Sequence, residues 1–543
     1  LPLPSPVAGA DRPTRRTPWW LWTLTLVALG ALIFMQRPDA PDPAKEAQAA
    51  KGLGTIEPPD VSEFALIGKV IIALDGMQPG GPGAPSAAEP LVQVSDQFAG
   101  WNTGPLGGPA TAGEGDKKAS EYPAVDRIRA TIVAAEATPA ERLAWRLDDI
   151  ESALDPSSVL RQDVAALRKI YAAPAASGAT TAPADLSDAE KDGLIKRHGW
   201  FGRLATTAGD RTAPVRTQAA SEGWTIFWIM VLAGLVVCVA LLAGLVLLVV
   251  GLMTWSQAGR WAGGFWRLRQ PDPAAEWPAE PAEVARAETA GGVVAEATFL
   301  PPAVPKSVWL ETLAVFLIGF LAVKLGLEGL HRAGAKGAWL AWAALGAQWL
   351  LLPTIFWPVV RGMSWRRWRG EIGWHAGAGV GREIGAGIAG YLAGLPLYFA
   401  MAILIVLLTF LWSLLTGGGG AGRAPAGKVF EIAEGGSPAM LVVLYLLATV
   451  WAPVVEESIF RGSLYRHLRA RLPMVLAGLL TAGVFAALHG YVVQGLFVVG
   501  TLGFWFAVIR EWRGSIIACA TGHAIHNGFV LGLILTLLSF ARA

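Results

Sequence analysis

Residues 438–461 read PAMLVVLYLLATVWAPVVEESIFR, and the way this stretch ends sets the class of the protein. From Pro438 to Val455 the chain carries no charge, as a bilayer-crossing helix requires; it then sets Glu456, Glu457 and Arg461 against that apolar run. Ionisable groups in such a setting are costly and face a bundle interior or a wet cavity, so they mark a functional site. At 3.6 residues per turn Glu457 and Arg461 stack on one face, while Glu456 lies about 100° round the helix. The spacing separates two roles: an arginine-paired carboxylate is held and oriented, and its neighbour is available as a general base. The plainer alternative is an acidic pair at a helix end, balanced by the basic residues that follow.

Two further polar signatures lie downstream in equally apolar surroundings. Phe485-Ala-Ala-Leu-His489 closes a run whose small residues allow close helix approach. His523 and Asn527, within the last apolar run, sit one turn apart, so an imidazole and a carboxamide point at one spot. Glu, His and Asn together can position a water against a carbonyl and stabilise the resulting oxyanion, or ligate a divalent metal. His489 taken alone also fits a hydrogen-bonded interior histidine, and His526, on another face, is secondary.

The whole chain agrees with a membrane setting. Of 543 residues 53% are hydrophobic and 16% charged, and the mean hydropathy is +0.45. Apolar runs at 19–35, 224–255, 308–327, 338–360, 385–415, 438–455, 473–489, 492–509 and 515–540 predict an all-α, polytopic transmembrane helical bundle of about eight or nine spans. The net charge of +2 is gathered into short basic clusters at the ends of these runs, which argues against a nucleic-acid partner and for a topology signal. Arg260, Arg267 and Arg269, then Arg361, Arg366, Arg367 and Arg369, then Arg466, Arg469 and Arg471, then Arg510 and Arg513 fall on one side of an alternating topology, with the N-terminus inside. The first run follows Arg12, Arg15 and Arg16 and lacks a small-residue cleavage site, so an uncleaved anchor is expected; the chain begins at Leu1 rather than Met, which leaves the translational start open.

These boundaries give a cytoplasmic N-terminus and anchor at 1–36, a small extracytoplasmic Ala/Pro/Gly-rich helical domain at 37–223, a second span and cytoplasmic linker at 224–306, further spans at 307–437, and the motif-bearing core at 438–543. Within the polar domain, segments 79–85, 104–115 and 173–184 read as loops, and 61–77 and 124–172 carry helical periodicity, with Ile128, Ile132, Leu143, Leu147, Ile150 and Leu154 among the apolar positions. Asp185-Leu-Ser-Asp188 caps a further helix through Arg197, and His198 reads as solvated. Cys238 and Cys519 both fall in apolar runs and read as packing residues.

Ala452-Pro-Val-Val-Glu456-Glu457-Ser-Ile-Phe-Arg461-Gly462, then Phe485-xxx-His489, then His523-xxx-Asn527, in this order and in apolar runs, resembles the CPBP (Abi) family of intramembrane proteases, which includes type 2 CAAX prenyl endopeptidases and bacterial proteins linked to bacteriocin processing or immunity. The resemblance covers roughly 438–540. It implies that Glu456 and His489 activate the attacking water, that His523 and Asn527 bind the oxyanion or assist, and that Glu457, Arg461 and Phe485 support them. It also implies a membrane-associated peptide or protein substrate, prenylated or leader-type, and a bacterial inner-membrane location. A metal such as zinc, if used, would fall to Glu456, His489 and His523; glutamate-dependent chemistry without a metal is the other reading. The polar domain lies outside the resemblance and is expected to meet a protein partner, while membrane lipid surrounds the rest. A non-catalytic relative acting in immunity or substrate capture stays open, and a transporter is third, since it calls for polar groups spread along a pathway and an internal repeat.

One geometric demand follows. If 438–455 and 473–489 were straight spans, Glu456 and His489 would lie roughly 20 Å or more apart at 1.5 Å per residue. The site requires the sixth helix to run on through Arg461 toward Arg469, or the seventh to enter obliquely. Three remaining features have structural readings: Glu311 and Lys324 snorkel from a span's ends, Gly373-Trp-His375-x-Gly377-x-Gly379 with Arg382-Glu383 is a tight turn or close helix packing ahead of a phosphate site, and 417–420 is a loop.

Overall fold

A computed structural model describes residues 17–35, 63–75, 89–98, 124–138, 143–171, 186–256, 307–335, 337–415, 436–490 and 493–541. These residues form helices and no strand. The expected loops at 79–85, 104–115, 173–184 and 417–420, and the linker at 270–306, lie outside the described residues. The chain divides into two compact units: one comprises Pro38–Val239, Val406–Leu441 and Val530–Ala543, the other Leu1–Arg37, Ala240–Ile405 and Val442–Phe529.

The polar domain belongs to the first unit. Among the described residues seven helices build it: α2 (Glu63–Asp75), α3 (Glu89–Phe98), α4 (Ala124–Ala134), α5 (Ala144–Ala153), α6 (Leu160–Tyr171), α7 (Asp188–His198) and α8 (Trp200–Thr206), following α1 (Trp19–Met35) in the chain. Ile128, Ile132, Leu143, Leu147, Ile150 and Leu154, the apolar positions expected from periodicity, all lie in one core with Phe64, Leu167 and Phe201. Gly68 lets α2 approach α8: a Cβ there would stand 3.0 Å from Val133 and 3.2 Å from Trp200. The same core buries charge. Arg146 bonds both carboxylate oxygens of Asp96, at 3.2 and 2.6 Å, with neither side chain exposed.

Helix α7 begins with a full capping box, Ser187 accepting from Glu190 N and the Glu190 carboxylate accepting from Ser187 N. Hydrogen bonds from Lys169 and Ser187 draw the Glu190 carboxyl down to about 2. At the other end of α7 the structure corrects the solvated reading of His198. The imidazole is completely buried, and its Nε2 lies 3.2 Å from Asp163 Oδ2, a carboxylate that also takes Arg197 Nε at 2.7 Å. Charge next to His198 in the sequence suggested water, but Lys196 stays outside while Arg197 and His198 turn inward onto α6. Burial pushes the Asp163 carboxyl up, yet the bonds from His198 and Arg197 prevail and hold it below its ordinary value. Burial also lowers the proton affinity of His198, against the pull of Asp163.

Among the described residues seven helices are long and apolar enough to cross a membrane: Pro214–Met253, Val308–Arg332, Trp339–Val360, Val380–Trp412, Pro438–Arg469, Gln494–Arg513 and Ile516–Phe540. They correspond to seven of the expected runs; the other two form the shorter apolar helices Trp19–Met35 and Met474–Ala487. After α9 (Pro214–Ser256) come α10 (Val308–Arg332), α11 (Trp339–Val360), α12 (Trp365–Ile372), α13 (Val380–Leu415), α14 (Pro438–Arg469), α15 (Met474–Ala487), α16 (Val493–Arg513) and α17 (Ile516–Phe540), which apart from residues 406–415, 438–441 and 530–540 belong to the second unit. Its main core joins α1, α10, α14 and α15 through residues such as Leu32, Leu317, Val455, Ile459 and Phe485. Helix α13 meets α17 where side chains vanish, since a Cβ on Gly387 would stand 2.5 Å from Ala518 O. Glu311 does not simply snorkel. Its carboxylate accepts from Arg361 Nε at 2.9 Å and Trp357 Nε1 at 3.2 Å, which ties α10 to the end of α11. Of the two cysteines, Cys519 packs inside and Cys238 is exposed on α9.

Candidate active site

Helix α14 meets the geometric demand posed by the sequence: it runs unbroken from Pro438 to Arg469, so the acidic pair lies well inside a helix rather than at its end. It is not a regular α-helix. Two stretches, Leu447–Trp451 and Ser458–Leu464, are wound as π-helix on either side of an α-helical turn, Ala452–Glu457, that carries both glutamates. Pro453 lacks an N–H and disfavours the regular ladder one turn before it, at the first wide turn.

The glutamates are treated differently by the fold. Glu457 is fully buried; its Oε1 takes Arg461 Nη1 at 3.1 Å, as the four-residue spacing predicts, and His523 Nδ1 of α17 at 2.9 Å. A carboxylate only accepts, so His523 donates from Nδ1 and presents Nε2 to the far side of its ring. That nitrogen lies 3.9 Å from Glu456 Oε2, too far for a direct hydrogen bond and within reach of one shared oxygen. Glu456 is part-exposed, but its Oε2 is a buried atom with no hydrogen-bond partner among the described residues.

Arg461 is likewise fully buried. Its Nη2 donates to Gly503 O at 2.7 Å, and the guanidinium lies 4.5 Å from the Phe485 ring centre and 5.4 Å from that of Phe506. Only a very small residue at 503 permits this, because a Cβ there would stand 3.0 Å from Phe485 and 3.3 Å from Arg461 Nη2. The two rings also shape the imidazoles. Phe506 stacks on His523 at 5.5 Å between centres, and Phe485 lies 4.5 Å from His489 and 6.1 Å from His523. Phe485 thus connects His489 with the rest of the cluster. His489 follows the end of α15 and donates from Nδ1 to Phe485 O at 2.7 Å, which fixes Nε2 as the acceptor nitrogen of the neutral ring.

Asn527, one turn beyond His523, donates from Nδ2 to Ala448 O at 2.8 Å. Ala448 lies in the first π stretch, whose winding withdraws a carbonyl from the regular ladder, so the amide stabilises the distortion that precedes the glutamates. His526 faces elsewhere: its Nδ1 meets Tyr391 OH at 3.3 Å. Among the described residues no three His, Cys, Asp or Glu side chains are grouped so as to hold a metal, and Glu456, His489 and His523 do not form such a ligand set.

Some members of the site were not visible in the sequence. Phe506 and the Gly503 carbonyl belong to an aromatic run, Gly503-Phe-Trp-Phe506, that reads as ordinary span. Its one signal is the glycine among large rings, which marks a close approach. Trp374, whose Nε1 donates to Ser458 Oγ at 2.9 Å, belongs to the glycine-rich loop 373–379 and gave no sign of reaching α14.

Fold and cluster together define a polytopic helical membrane protein with a carboxylate–imidazole site buried among its spans. Residues 438–529 match the family described as Type II CAAX prenyl endopeptidase Rce1-like; Glu456, Glu457, Arg461, His489, His523 and Asn527 lie inside that match, and Trp374 lies upstream of it. Over this segment, about one sixth of the chain, the protein is similar to that peptidase family, in keeping with the CPBP resemblance. No curated protein and no solved structure matches the chain.

Proposed function

We propose that the protein is an intramembrane endopeptidase in which Glu456 activates water against the peptide bond of a membrane-associated substrate. The observation that carries this reading is the pairing of the unpartnered, buried Glu456 Oε2 with His523 Nε2 across 3.9 Å, inside a family-matched peptidase domain. An oxygen held between those atoms is placed for deprotonation by the carboxylate. Glu457 fixes the ring of His523 from Nδ1 and offsets the ring's positive charge once Nε2 has taken a proton from solvent before the attack; that Nε2–H donates to the oxyanion of the tetrahedral intermediate and stays on the ring through the cycle. Asn527 adds its second amide hydrogen there, and His489, through Nε2, helps to orient the water. Glu456 then returns the proton to the leaving amine, which closes the cycle without a change in the enzyme.

Arg461 serves Glu457 rather than the substrate. Enclosed by Phe485, Phe506 and the Gly503 carbonyl, it keeps a charged carboxylate in an apolar bundle. The N-terminus is assigned to the cytoplasm from the basic clusters, in a bacterial inner membrane, with the polar domain outside as a site for a protein partner. The test is cleavage by the purified full chain in lipid nanodiscs, offered three peptide sets: prenylated C-terminal peptides, the same peptides without the lipid, and leader-type hydrophobic peptides, with products read by mass spectrometry. Cleavage of any set at a defined bond supports the reading and names the substrate class. Retention of a peptide without cleavage would replace it with substrate capture.

A further inference from the structure

The loop 372–377, singled out by its glycines and placed upstream of the family match, contacts both helices that carry the site. Toward α14, Trp374 Nε1 donates to Ser458 Oγ at 2.9 Å, and that hydroxyl donates to Val454 O at 2.6 Å. The hydrogen-bonded serine directly follows Glu457. Gly462, in the same π stretch, lies against the loop so closely that a Cβ would stand 2.5 Å from Ile372 Cγ1 and 3.0 Å from its carbonyl oxygen. Arg466 Nη1 also donates to Glu371 O at 3.0 Å.

Toward α17 the same loop takes up the first turn. Ile516 N donates to Gly373 O at 3.0 Å, and Ser515 Oγ lies 3.3 Å from Gly373 O and 3.0 Å from His375 O. His375 Nε2 donates to Gly514 O at 3.0 Å, and Arg510 Nη2 to Ile372 O at 3.2 Å. Gly373, at φ +106°, and Gly377, at φ +52°, adopt left-handed backbone that admits the turn. A Cβ on Gly373 would meet the Arg510 guanidinium at 2.7 Å. From Ile516 to His523 is about two helical turns, roughly 10 Å of rigid rise.

We propose that this loop is a positioning brace which sets α14 and α17 relative to each other, with Trp374 acting through Ser458 as its link to the acidic pair. The Glu457–His523 bond, 2.9 Å long, joins the same two helices, so its geometry depends on the brace. Catalytic geometry is sensitive on this scale: a shift of about 1 Å by a residue remote from the chemistry can cost about 100-fold in rate. The functional unit therefore begins before residue 438, and an isolated 438–529 segment lacks one of its supports. The rate effect rests on the proposed peptidase reading; the geometric effect does not.

The test uses the full chain in nanodiscs with 15N-labelled histidine, the His523 resonance being assigned by its loss in His523→Gln. Trp374→Phe keeps the ring bulk and removes the donor; Ser458→Ala removes the acceptor, Ser458→Thr keeps it, and Trp365→Phe is the control on neighbouring α12. The expected result is a shifted His523 Nδ1 resonance in Trp374→Phe and in Ser458→Ala, a double variant no worse than either single one, and wild-type behaviour in Ser458→Thr and Trp365→Phe. On a peptide that wild type cleaves, kcat falls about 10- to 100-fold with KM within about two-fold. An unmoved resonance in both Trp374→Phe and Ser458→Ala overturns the proposal, as does a double variant whose losses multiply. If Trp374→Phe fails to fold, Ser458→Ala decides. A shifted resonance with no cleavage by any form counts against the peptidase reading and leaves the brace standing.

Discussion

Replacing Arg461 by Met tests how the buried charge is held. The guanidinium is fully buried, gives Glu457 a 3.1 Å ion pair and Gly503 O a 2.7 Å hydrogen bond, and lies against two aromatic rings. Removing it leaves Glu457 buried with His523 as its hydrogen-bond partner, and breaking one side of a buried pair costs about 3–5 kcal/mol. Met is close in length and its sulfur packs favourably on aromatic rings, recovering up to about 1 kcal/mol, so a net loss of about 2–4 kcal/mol is expected. Glu457→Gln should be destabilising for the mirror-image reason, since it strands the arginine. The double variant removes both charges together and should be less destabilised than the sum of the singles by about 2 kcal/mol or more. Equilibrium unfolding of the full chain by SDS in mixed micelles measures all three. A single-variant loss below about 0.5 kcal/mol, or losses that add to within about 0.5 kcal/mol, would refute the view of this pair as a mutually dependent unit.

Asn527→Ala withdraws the donor from Ala448 O in the first π stretch and should cost about 1–3 kcal/mol in the same unfolding measurement, apart from any effect on rate. Gly387→Ala drives a methyl group to 2.5 Å from Ala518 O and 2.8 Å from Thr521 Cβ, and should lower stability by about 1–3 kcal/mol as α13 and α17 separate. The polar domain should loosen on acidification in two stages. His198 binds protons less readily when folded than its ordinary 6.5, so the unfolded chain takes up the proton first and stability falls as pH drops below about 6.5; Asp163, held below its ordinary 3.8, adds a second loss as pH falls below about 4. Hydrogen exchange of α6 and α7 in the full chain, corrected for the intrinsic pH dependence, reads this, and His198→Gln should remove the first stage and weaken the second, which then rests on the Arg197 bond to Asp163.

Helices and their order were legible in the sequence because uncharged runs of bilayer length have few alternatives, and the i, i+4 spacing of Glu457 and Arg461 led directly to their ion pair. Where α14 ends was not legible. Hydropathy stops at Val455 because Glu456, Glu457 and Arg461 count as polar, whereas the fold neutralises two of them against each other and carries the helix on to Arg469. The partner of His523 was hidden for a related reason: helical spacing relates residues on one helix and says nothing of which carboxylate a second helix will meet. His198 shows the same limit in the polar domain, where a charged neighbourhood in sequence became a buried network through Asp163, 35 residues earlier. The role of the 373–379 glycines was half legible. Their need for a tight turn could be read from residue type, but the two helices that turn would touch could not.

The central claim is that Glu456, rather than its buried neighbour, takes the proton from the attacking water. The most direct measurement compares wild type with Glu456→Gln, both purified as the full chain and matched for unfolding midpoint, on a library of membrane-associated peptides read by mass spectrometry. Glutamine keeps the shape and removes the base, so the account predicts defined cleavage by wild type and its loss, by at least about 100-fold, in the variant. Equal cleavage by both proteins would contradict it.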